Sequence, residues 1–329
     1  MLIARKFRYV ILALILYAVF CTVAGILVAD ASLRPGRRPL TDEEAAEMRT
    51  SAHTLDAEFQ DVSITVRDGA VLRAWSVHPR RANGDAVIVL HGVGDNRVGT
   101  MGYAQIFLAH GYTVLMPDAR AHGISGGALA TYGLLEREDI HGWFDFVSAQ
   151  DHPRCIFGFG ESMGAAQLLQ SLETHVNFCG VAVESPCADF REIAFDRMGQ
   201  PFHLGPWVGR TVLRPLVEIG LLRARWKDGL DLRNASPEDA VAATTVPVLL
   251  IHGQADSNIP VRHSRMIHAR NPATELWEVP GAEHCGAIAV APKEFEARVM
   301  NWFGAHWRQV SQVSQVSQVS QVSQVAAGD

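Results

Sequence analysis

The sequence predicts an α/β protein built on one open, mostly parallel sheet that helices cover on both faces. Short runs rich in Val, Ile and Leu are apolar throughout, as expected of strands that are buried on both faces. Longer stretches with helical periodicity alternate with these runs. The 329 residues suffice for one large domain or two small ones.

The predicted elements follow in chain order. Two runs that flank the turn pair Asp68-Gly69 predict a hairpin. The predicted strands are Phe59 to Val66, Ala70 to Val77, Ala86 to Leu90, Thr113 to Met116, Cys155 to Phe159, Gly180 to Val183, Val246 to Ile251 and Glu275 to Val279. The predicted covering helices are Met101 to His110, Leu134 to Ala149, Met163 to His175, Val261 to Ala269 and Lys293 to Trp307. Together these elements predict a domain over residues 59–309. Residues 187–243 lack a clear strand and are predicted to form a helical cap over the strand ends.

Composition excludes several classes of protein. Hydrophobic residues make up 48% of the chain and charged residues 19%, which is typical of a globular protein. Lys and Arg number 29 against 35 Asp and Glu, so a nucleic-acid partner held through its phosphates is not expected. The cysteines have no C-x-x-C spacing, and we expect them to be mostly buried free thiols; they are Cys21, Cys155, Cys179, Cys187 and Cys285.

The N-terminal residues 1–31 are predicted to be a membrane anchor. Basic residues precede an uncharged run of 21 residues from Tyr9 to Ala29, YVILALILYAVFCTVAGILVA. As a helix it can cross a hydrocarbon core of about 30 Å, whereas the apolar region of a cleavable signal peptide has about 7–15 residues. A secreted protein with a cleaved signal is the alternative, because residues 29–31 have the small-x-small form of a cleavage site.

The charges that flank this run favour a cytoplasmic N-terminus. Arg5, Lys6, Arg8 and the terminal amine narrowly outweigh the arginines that follow the run, which are Arg34, Arg37 and Arg38. We therefore expect the globular domain to lie outside the cytoplasm. Residues 32–58, rich in Pro and charge, are predicted to be a linker that enters a short helix. Residues 310–329 repeat Val-Ser-Gln, and this period of three predicts a disordered tail because it fits neither a helix nor a strand.

The segment Gly160-Glu161-Ser162-Met163-Gly164 follows a predicted strand and opens a predicted helix. This G-x-S-x-G context can hold a serine on a strained turn with its hydroxyl exposed. A serine hydroxyl needs a base to become a nucleophile, and a base needs a carboxylate to orient it. Asp256 and His284 each follow a later strand, so the chain order is Ser, Asp, His.

Four loops make the chain resemble the α/β-hydrolase superfamily over residues 59–309. HGVGDNR, starting at His91, resembles the oxyanion loop, and PDARAHGISGG, starting at Pro117, resembles the D-x-R-x-x-G-x-S loop. HGQADSNIP and PGAEHCG resemble the acid and histidine loops. The resemblance implies that Ser162 is the nucleophile, His284 the base and Asp256 its orienting carboxylate. It also implies an oxyanion hole made by the amides of Met163 and Val93, with Gly94 as the alternative to Val93 if the loop is shifted, and no organic cofactor.

Other residues near the strand ends offer rival interpretations. Asp118 and Glu283 are alternative carboxylates, although Asp118 is expected to anchor its own loop and Glu283 to diverge from its neighbour His284. A metal site at His91, His122, His252 and His284 is not expected, because the spacing of known metal motifs is lacking. A disulfide between Cys187 and Cys285 is conceivable, but free thiols are expected.

Serine at this turn restricts the predicted chemistry to acyl transfer at ester, thioester or amide carbonyls. We expect a membrane-tethered serine hydrolase that acts on small ester molecules through an acyl-enzyme. A peptidase or amidase of the same fold ranks second, because oligopeptidases of the family commonly carry a propeller domain for which this chain is too short. A non-catalytic binding protein that keeps the fold is the third interpretation.

Overall fold

The computed structural model describes residues 2–173 and 177–307. The strands are β1 (Ala57–Thr65), β2 (Val71–Pro79), β3 (Ala86–Leu90), β4 (Thr113–Pro117), β5 (Ile156–Glu161), β6 (Gly180–Glu184), β7 (Val248–Gly253) and β8 (Glu275–Val279). The helices are α1 (Leu2–Leu33), α2 (Asp42–Thr54), α3 (Met101–Ala109), α4 (Glu136–Asp151), α5 (Ser162–Ser171), α6 (Phe190–Gly199), α7 (Pro206–Arg210), α8 (Arg214–Asp228), α9 (Pro237–Ala243), α10 (Arg262–Arg270), α11 (Ala287–Val290) and α12 (292–307).

All eight strands form one sheet in the order β1-β2-β4-β3-β5-β6-β7-β8. β1 and β2 form the predicted hairpin, β2 also pairs antiparallel with β4, and the strands from β4 to β8 are parallel to one another. The predicted fold class, a mostly parallel sheet with helices on both faces, is confirmed. The parallel strands end at the same edge of the sheet, so the loops that follow β3, β5, β7 and β8 lie close together.

Two apolar cores lie on opposite faces of the sheet. Successive side chains of a strand point to opposite faces, and in β3 Val87 and Val89 join one core while Ile88 joins the other. The first core includes Phe107 of α3 and Phe303 of α12, and the second includes side chains from α4, α5 and α10. Burial on both faces explains why the central strands are apolar throughout.

The residues predicted to be a linker, 32–58, include a helix that belongs to the globular domain. Thr41 caps α2 by accepting a hydrogen bond from the amide of Glu44, whose carboxylate accepts one from the amide of Thr41. Met48 and Ala52 are buried in the first core. The short helix that the linker was predicted to enter is therefore α2, and its apolar side packs against the domain.

Between β6 and β7 the chain forms α6, α7, α8 and α9, within the range predicted to be a cap. The hydroxyl of Ser236 and the carboxylate of Asp189 cap α9 and α6 by accepting amide hydrogen bonds. A third apolar cluster joins α6 and α8 and includes Phe195, Val217 and Leu221. Leu33, the last residue of α1, is fully buried in the same cluster.

Helix α1 is long and apolar enough to cross a membrane, with mean hydropathy 2.8 in an 18-residue window within Ala4–Leu33. Most of its side chains up to residue 20 are exposed, whereas its last three turns pack against α8. Small residues allow the two helices to approach closely. A Cβ atom on Gly25 would lie 2.6 Å from the carbonyl oxygen of Leu216, and one on Gly220 would lie 3.2 Å from the carbonyl oxygen of Gly25.

The expectation of free thiols is wrong for two cysteines. Cys155 and Cys179 form a disulfide, with their Cα atoms 5.7 Å apart. Cys155 directly precedes β5 and Cys179 precedes β6, and these neighbouring parallel strands start side by side. Cys21, Cys187 and Cys285 are free, so the conceivable pairing of Cys187 with Cys285 is not formed. The predicted Val-Ser-Gln tail, residues 310–329, lies outside the described residues.

Candidate active site

Ser162 lies at the sharp turn between β5 and α5. Its φ of 51° is in the left-handed region, which costs a non-glycine residue about 1–3 kcal/mol. Gly160 and Gly164 make the turn possible because a Cβ atom on Gly160 would lie 2.7 Å from the carbonyl oxygen of Gly164, and one on Gly164 would lie 2.5 Å from that of Leu90. The G-x-S-x-G spacing therefore reflects close backbone contacts on both sides of the serine.

Ser162, His284 and Asp256 form one line of hydrogen bonds, although they lie far apart in the sequence. The Oγ atom of Ser162 is 2.9 Å from Nε2 of His284. The Nδ1 atom of His284 is 2.8 Å from Oδ2 of Asp256. If Nδ1–H donates to the carboxylate, Nε2 is free to accept the hydroxyl proton.

Asp256 is held in its ionised form by the loop that follows β7. Its Oδ1 atom accepts hydrogen bonds from the amides of Asn258, at 2.9 Å, and Ile259, at 2.8 Å. Burial opposes ionisation, but hydrogen bonds from His252 and His284 outweigh it and hold the pKa of Asp256 well below its usual range. A carboxylate that stays ionised can stabilise an imidazolium during a reaction.

The loop after β3 approaches the serine closely. A Cβ atom on Gly92 would lie 3.5 Å from the Cβ of Ser162, and the next residue, Val93, lines the same cavity as Ser162 and Met163. His91 positions this loop: its Nδ1–H donates to the carbonyl of Gly92, and its Nε2 accepts from the amide of Ala119. Burial lowers the pKa of His91 to about 4, so the ring stays neutral and keeps both bonds.

Asp118 anchors the loop after β4, as expected, and does not contact His284. Its carboxylate accepts hydrogen bonds from Nε and Nη2 of Arg97, at 3.1 and 2.8 Å, and from the amide of Ile124. Both charged side chains are almost completely buried. Gly123 is required here because a Cβ atom would lie 2.2 Å from Oδ2 of Asp118, and its φ is +46°.

The other rival residues have different partners. The carboxylate of Glu283 accepts hydrogen bonds from the amide and hydroxyl of Ser257, at 3.3 and 3.2 Å. His252 bonds to Ser264 and to the carbonyl of Ile259, so it stabilises the loop that carries Asp256. Within residues 2–173 and 177–307, no three His, Cys, Asp or Glu side chains are grouped so that they could hold a metal ion.

A largely buried cluster beside the turn that carries Ser162 was not predicted from the sequence. The hydroxyl of Tyr103 lies 3.1 Å from Oε2 of Glu161 and 3.0 Å from Oε2 of Glu184, and its single proton can be donated to only one of them. Glu184 also accepts a hydrogen bond from the amide of Ala287, in the segment that follows His284. The cluster therefore connects the ends of β5 and β6 with the histidine loop. Glu161 is the variable residue of G-x-S-x-G, so the motif gives no signal for it.

This cluster predicts how stability depends on pH. Burial raises the pKa of Glu161 from 4.5 to about 7, and the charge of Glu184 adds to the effect. The folded protein then binds this proton more tightly than the unfolded chain. Protonated Glu161 therefore contributes stability that is fully present below about pH 4.5 and is lost as the pH rises through 7. Between pH 5 and 8, we expect the free energy of unfolding of the wild type to fall by about 2–3 kcal/mol more than that of Glu161→Gln.

Chemical unfolding at several pH values measures this difference. Glu47→Gln, a change at an exposed position of α2, is the matched control and should leave the pH profile of the wild type unchanged. Parallel profiles for Glu161→Gln and the wild type would contradict a raised pKa at Glu161.

A cavity of about 320 Å³ begins at Ser162 and Met163 and extends under the cap. Most of its lining is apolar, and α6 and α8 contribute the largest part of it, including Ile193, Val217 and Leu221. The sequence did not predict that α1 would contribute to this lining, and the residues that it contributes are Gly25, Val28, Ala29 and Ser32. An apolar cavity of this size that opens at a serine hydroxyl is typical of a small-molecule site.

The sheet, the turn that carries Ser162 and the loops at one sheet edge are features of one class of protein, the α/β hydrolases. Residues 87–298 match the family described as "Alpha/beta hydrolase family". The chain belongs to the alpha/beta hydrolase family, which confirms the resemblance seen in the sequence. The family match includes Ser162, Asp256 and His284 and leaves out α1 and α2.

Relatives and solved structures agree with this assignment. The uncharacterized protein YqkD of Bacillus subtilis is 27% identical over 257 residues, which cover 74% of this chain and 81% of YqkD. The uncharacterized protein YfhR of Escherichia coli is 24% identical over 240 residues, which cover 70% of this chain and 75% of YfhR. The structure of the Pyrococcus furiosus esterase Pf2001 is similar, with a TM-score of 0.64 and 25% identity, and the match covers 84% of this chain and 98% of the esterase.

Proposed function

We propose that this protein is a serine hydrolase that cleaves carboxylic esters through an acyl-enzyme. The observation that carries the proposal is the hydrogen-bonded line from Asp256 through His284 to Ser162, which ends at an apolar cavity. A base within hydrogen-bond distance of the hydroxyl, oriented by a carboxylate, is the arrangement that activates a serine. The chemistry needs neither a metal nor an organic cofactor.

In the first half of the reaction, Nε2 of His284 takes the proton of Ser162 as Oγ attacks the ester carbonyl carbon. The tetrahedral intermediate collapses, the bond to the alcohol oxygen breaks, and the imidazolium gives its proton to the departing alcohol. In the second half, His284 deprotonates a water molecule, which attacks the acyl carbon. The bond between the acyl carbon and Oγ of Ser162 then breaks, and the imidazolium returns its proton to Oγ, which releases the acid and restores the serine. Asp256 stays ionised throughout and stabilises the imidazolium.

The amides of Met163 and Val93 form the proposed oxyanion hole. Met163 is in the first turn of α5, where backbone N–H groups have no acceptor within the helix. Val93 follows Gly92 in the loop that His91 positions. Donors already in place for the oxyanion lower the barrier, and the loss of one typically costs about 2.7–4 kcal/mol.

An ester is the substrate class that the cavity and the relatives favour. The apolar lining fits an acyl group with no charge, and the similar Pyrococcus furiosus protein is named as an esterase. A fluorophosphonate probe tests the serine mechanism on the full chain in mild detergent. We expect covalent labelling on the peptide that contains Ser162 and competition by p-nitrophenyl acetate. A folded wild type that the probe does not label would overturn the proposal.

The protein is proposed to be anchored by α1, with its catalytic domain outside the cytoplasm. Basic residues precede the apolar run, and the disulfide between Cys155 and Cys179 fits an oxidising compartment. Alkaline phosphatase is active only outside the cytoplasm, so its fusion after Leu40 should be active in bacterial cells. An inactive fusion that is present at a normal level would reverse the orientation, and a mature chain that starts near residue 31 would show signal cleavage instead.

A further inference from the structure

Part of the cavity wall is formed by the proposed membrane anchor, α1. Gly25, Val28 and Ala29 belong to the apolar run of α1, and all three line the cavity that contains Ser162. Val28 lines the cavity while 41% of its surface is exposed. The side chain of Val28 therefore lies between the cavity and the medium that surrounds α1.

Ion pairs fix this part of α1 on the domain. Asp30 pairs with Arg223 at 3.1 Å and with Lys227 at 3.4 Å, and Arg34 pairs with Asp228 at 2.7 Å. The charged groups begin where the apolar run ends, so they mark the level at which α1 leaves a bilayer. The contact of Gly25 with Leu216 lies on the membrane side of that level. The cavity wall is therefore at the depth of the leaflet that adjoins the domain.

The edge of the cap beside α1 is also suited to a membrane surface. The hydroxyl of Tyr17 donates a hydrogen bond to the carbonyl of Val212, which places the α7–α8 turn beside the middle of the apolar run. Leu204, Trp207 and Val212 are more than half exposed on this part of the cap. Because this turn lies deeper along α1 than the cavity wall, these exposed apolar side chains fit a part of the cap that enters the bilayer.

We infer that the substrate is a lipid ester whose acyl chain enters the cavity from this leaflet, along α1, and reaches Ser162. The inference rests on the proposed function, because it takes Ser162 as the nucleophile. The apolar lining accepts one hydrocarbon chain, while the ester carbonyl lies at Ser162. The anchor is thus part of the substrate site as well as a tether. The part of the substrate that enters the cavity is an acyl chain, because the cavity offers mostly apolar contacts. Its few polar groups include Arg197 and Ser32.

Substitutions at Val28 test this inference with the full chain in phosphatidylcholine vesicles. Val28→Trp fills the wall of the cavity, and we expect the ratio of kcat/KM for p-nitrophenyl laurate to kcat/KM for p-nitrophenyl acetate to fall by about tenfold or more. Val28→Ala removes volume and should shift the preference towards the palmitate ester. Val19→Trp, at an exposed position of α1 that does not line the cavity, is the matched control and should keep the wild-type ratio.

The outcomes separate the two proposals. The inference is overturned if both Val28 variants keep the wild-type ratios of kcat/KM, for laurate to acetate and for palmitate to laurate. That result would leave the proposed esterase intact. If the wild type cleaves none of the three esters and is not labelled by a fluorophosphonate, both the proposed function and the inference are overturned. The route is tested by diluting laurate ester with phosphatidylcholine at constant bulk concentration. We expect the rate of hydrolysis to depend on the mole fraction of ester in the vesicle. A rate that does not change with this fraction would exclude entry from the bilayer.

Discussion

Replacing Ser162 by Ala is expected to lower kcat for p-nitrophenyl esters by about 10⁶-fold, because the proposed acyl-enzyme forms on the Oγ atom that this substitution removes. The Oγ atom is the only atom lost, and the Cβ that remains keeps the turn between β5 and α5. His284 and Asp256 stay in place, so binding of the ester should change little. Stopped-flow and steady-state hydrolysis of p-nitrophenyl acetate measure the loss.

Ser171→Ala is the matched control for this substitution. Ser171 is buried in the same helix, α5, and donates its hydroxyl to the carbonyl of Leu168. We expect its loss to affect stability by about 1 kcal/mol and to leave kcat close to that of the wild type. Residual turnover in Ser162→Ala that equals the turnover of Ser171→Ala would show that another group is the nucleophile.

Replacing Asp256 by Asn is expected to lower kcat by about 10⁴-fold, the second largest effect. The carboxylate can only accept a hydrogen bond, and it therefore keeps the proton of His284 on Nδ1. An amide can donate to Nδ1 instead, which places the imidazole proton on Nε2, facing Ser162. A histidine in that tautomer cannot take the hydroxyl proton. Steady-state hydrolysis of p-nitrophenyl acetate by both enzymes at the same pH measures the effect.

Glu283→Gln is the matched control because Glu283 is the carboxylate next to His284 in the sequence. Its contacts are with Ser257, so we expect kcat to change by less than about threefold. If Glu283→Gln impairs turnover as much as Asp256→Asn does, the orienting role would belong to the other carboxylate. Melting curves of both variants establish that they are folded.

The strands and the residues at their ends could be predicted because each has a local signal. Strands buried on both faces are short and apolar, and residues after β5, β7 and β8 reach the same edge whenever the sheet is parallel. Ser162 has an additional signal in the two glycines, since no side chain fits at Gly160 or Gly164. Asp256 and His284 could be chosen over Glu283 only by motif resemblance and chain order, and their hydrogen bonds follow from the fold.

Glu161 and Glu184 could not be placed in one cluster from the sequence. Each ends a strand and carries a charge, which alone suggests an exposed position. Their burial follows from the packing of α3, which puts the hydroxyl of Tyr103 between them. The disulfide of Cys155 with Cys179 has the same origin, because only the pairing of β5 with β6 brings the two residues together.

The amino-acid sequence by itself determined the order of strands and helices, the residues of the nucleophile turn and the apolar character of α1. Only the tertiary structure decided that α1 packs on α8 and forms a wall of the cavity next to Ser162. The physical reason is that hydropathy and periodicity report which side chains avoid water, and not which surfaces fit one another. The fit of Gly25 against Leu216 and Gly220 depends on two helices nearly two hundred residues apart, and it exists only once both are folded.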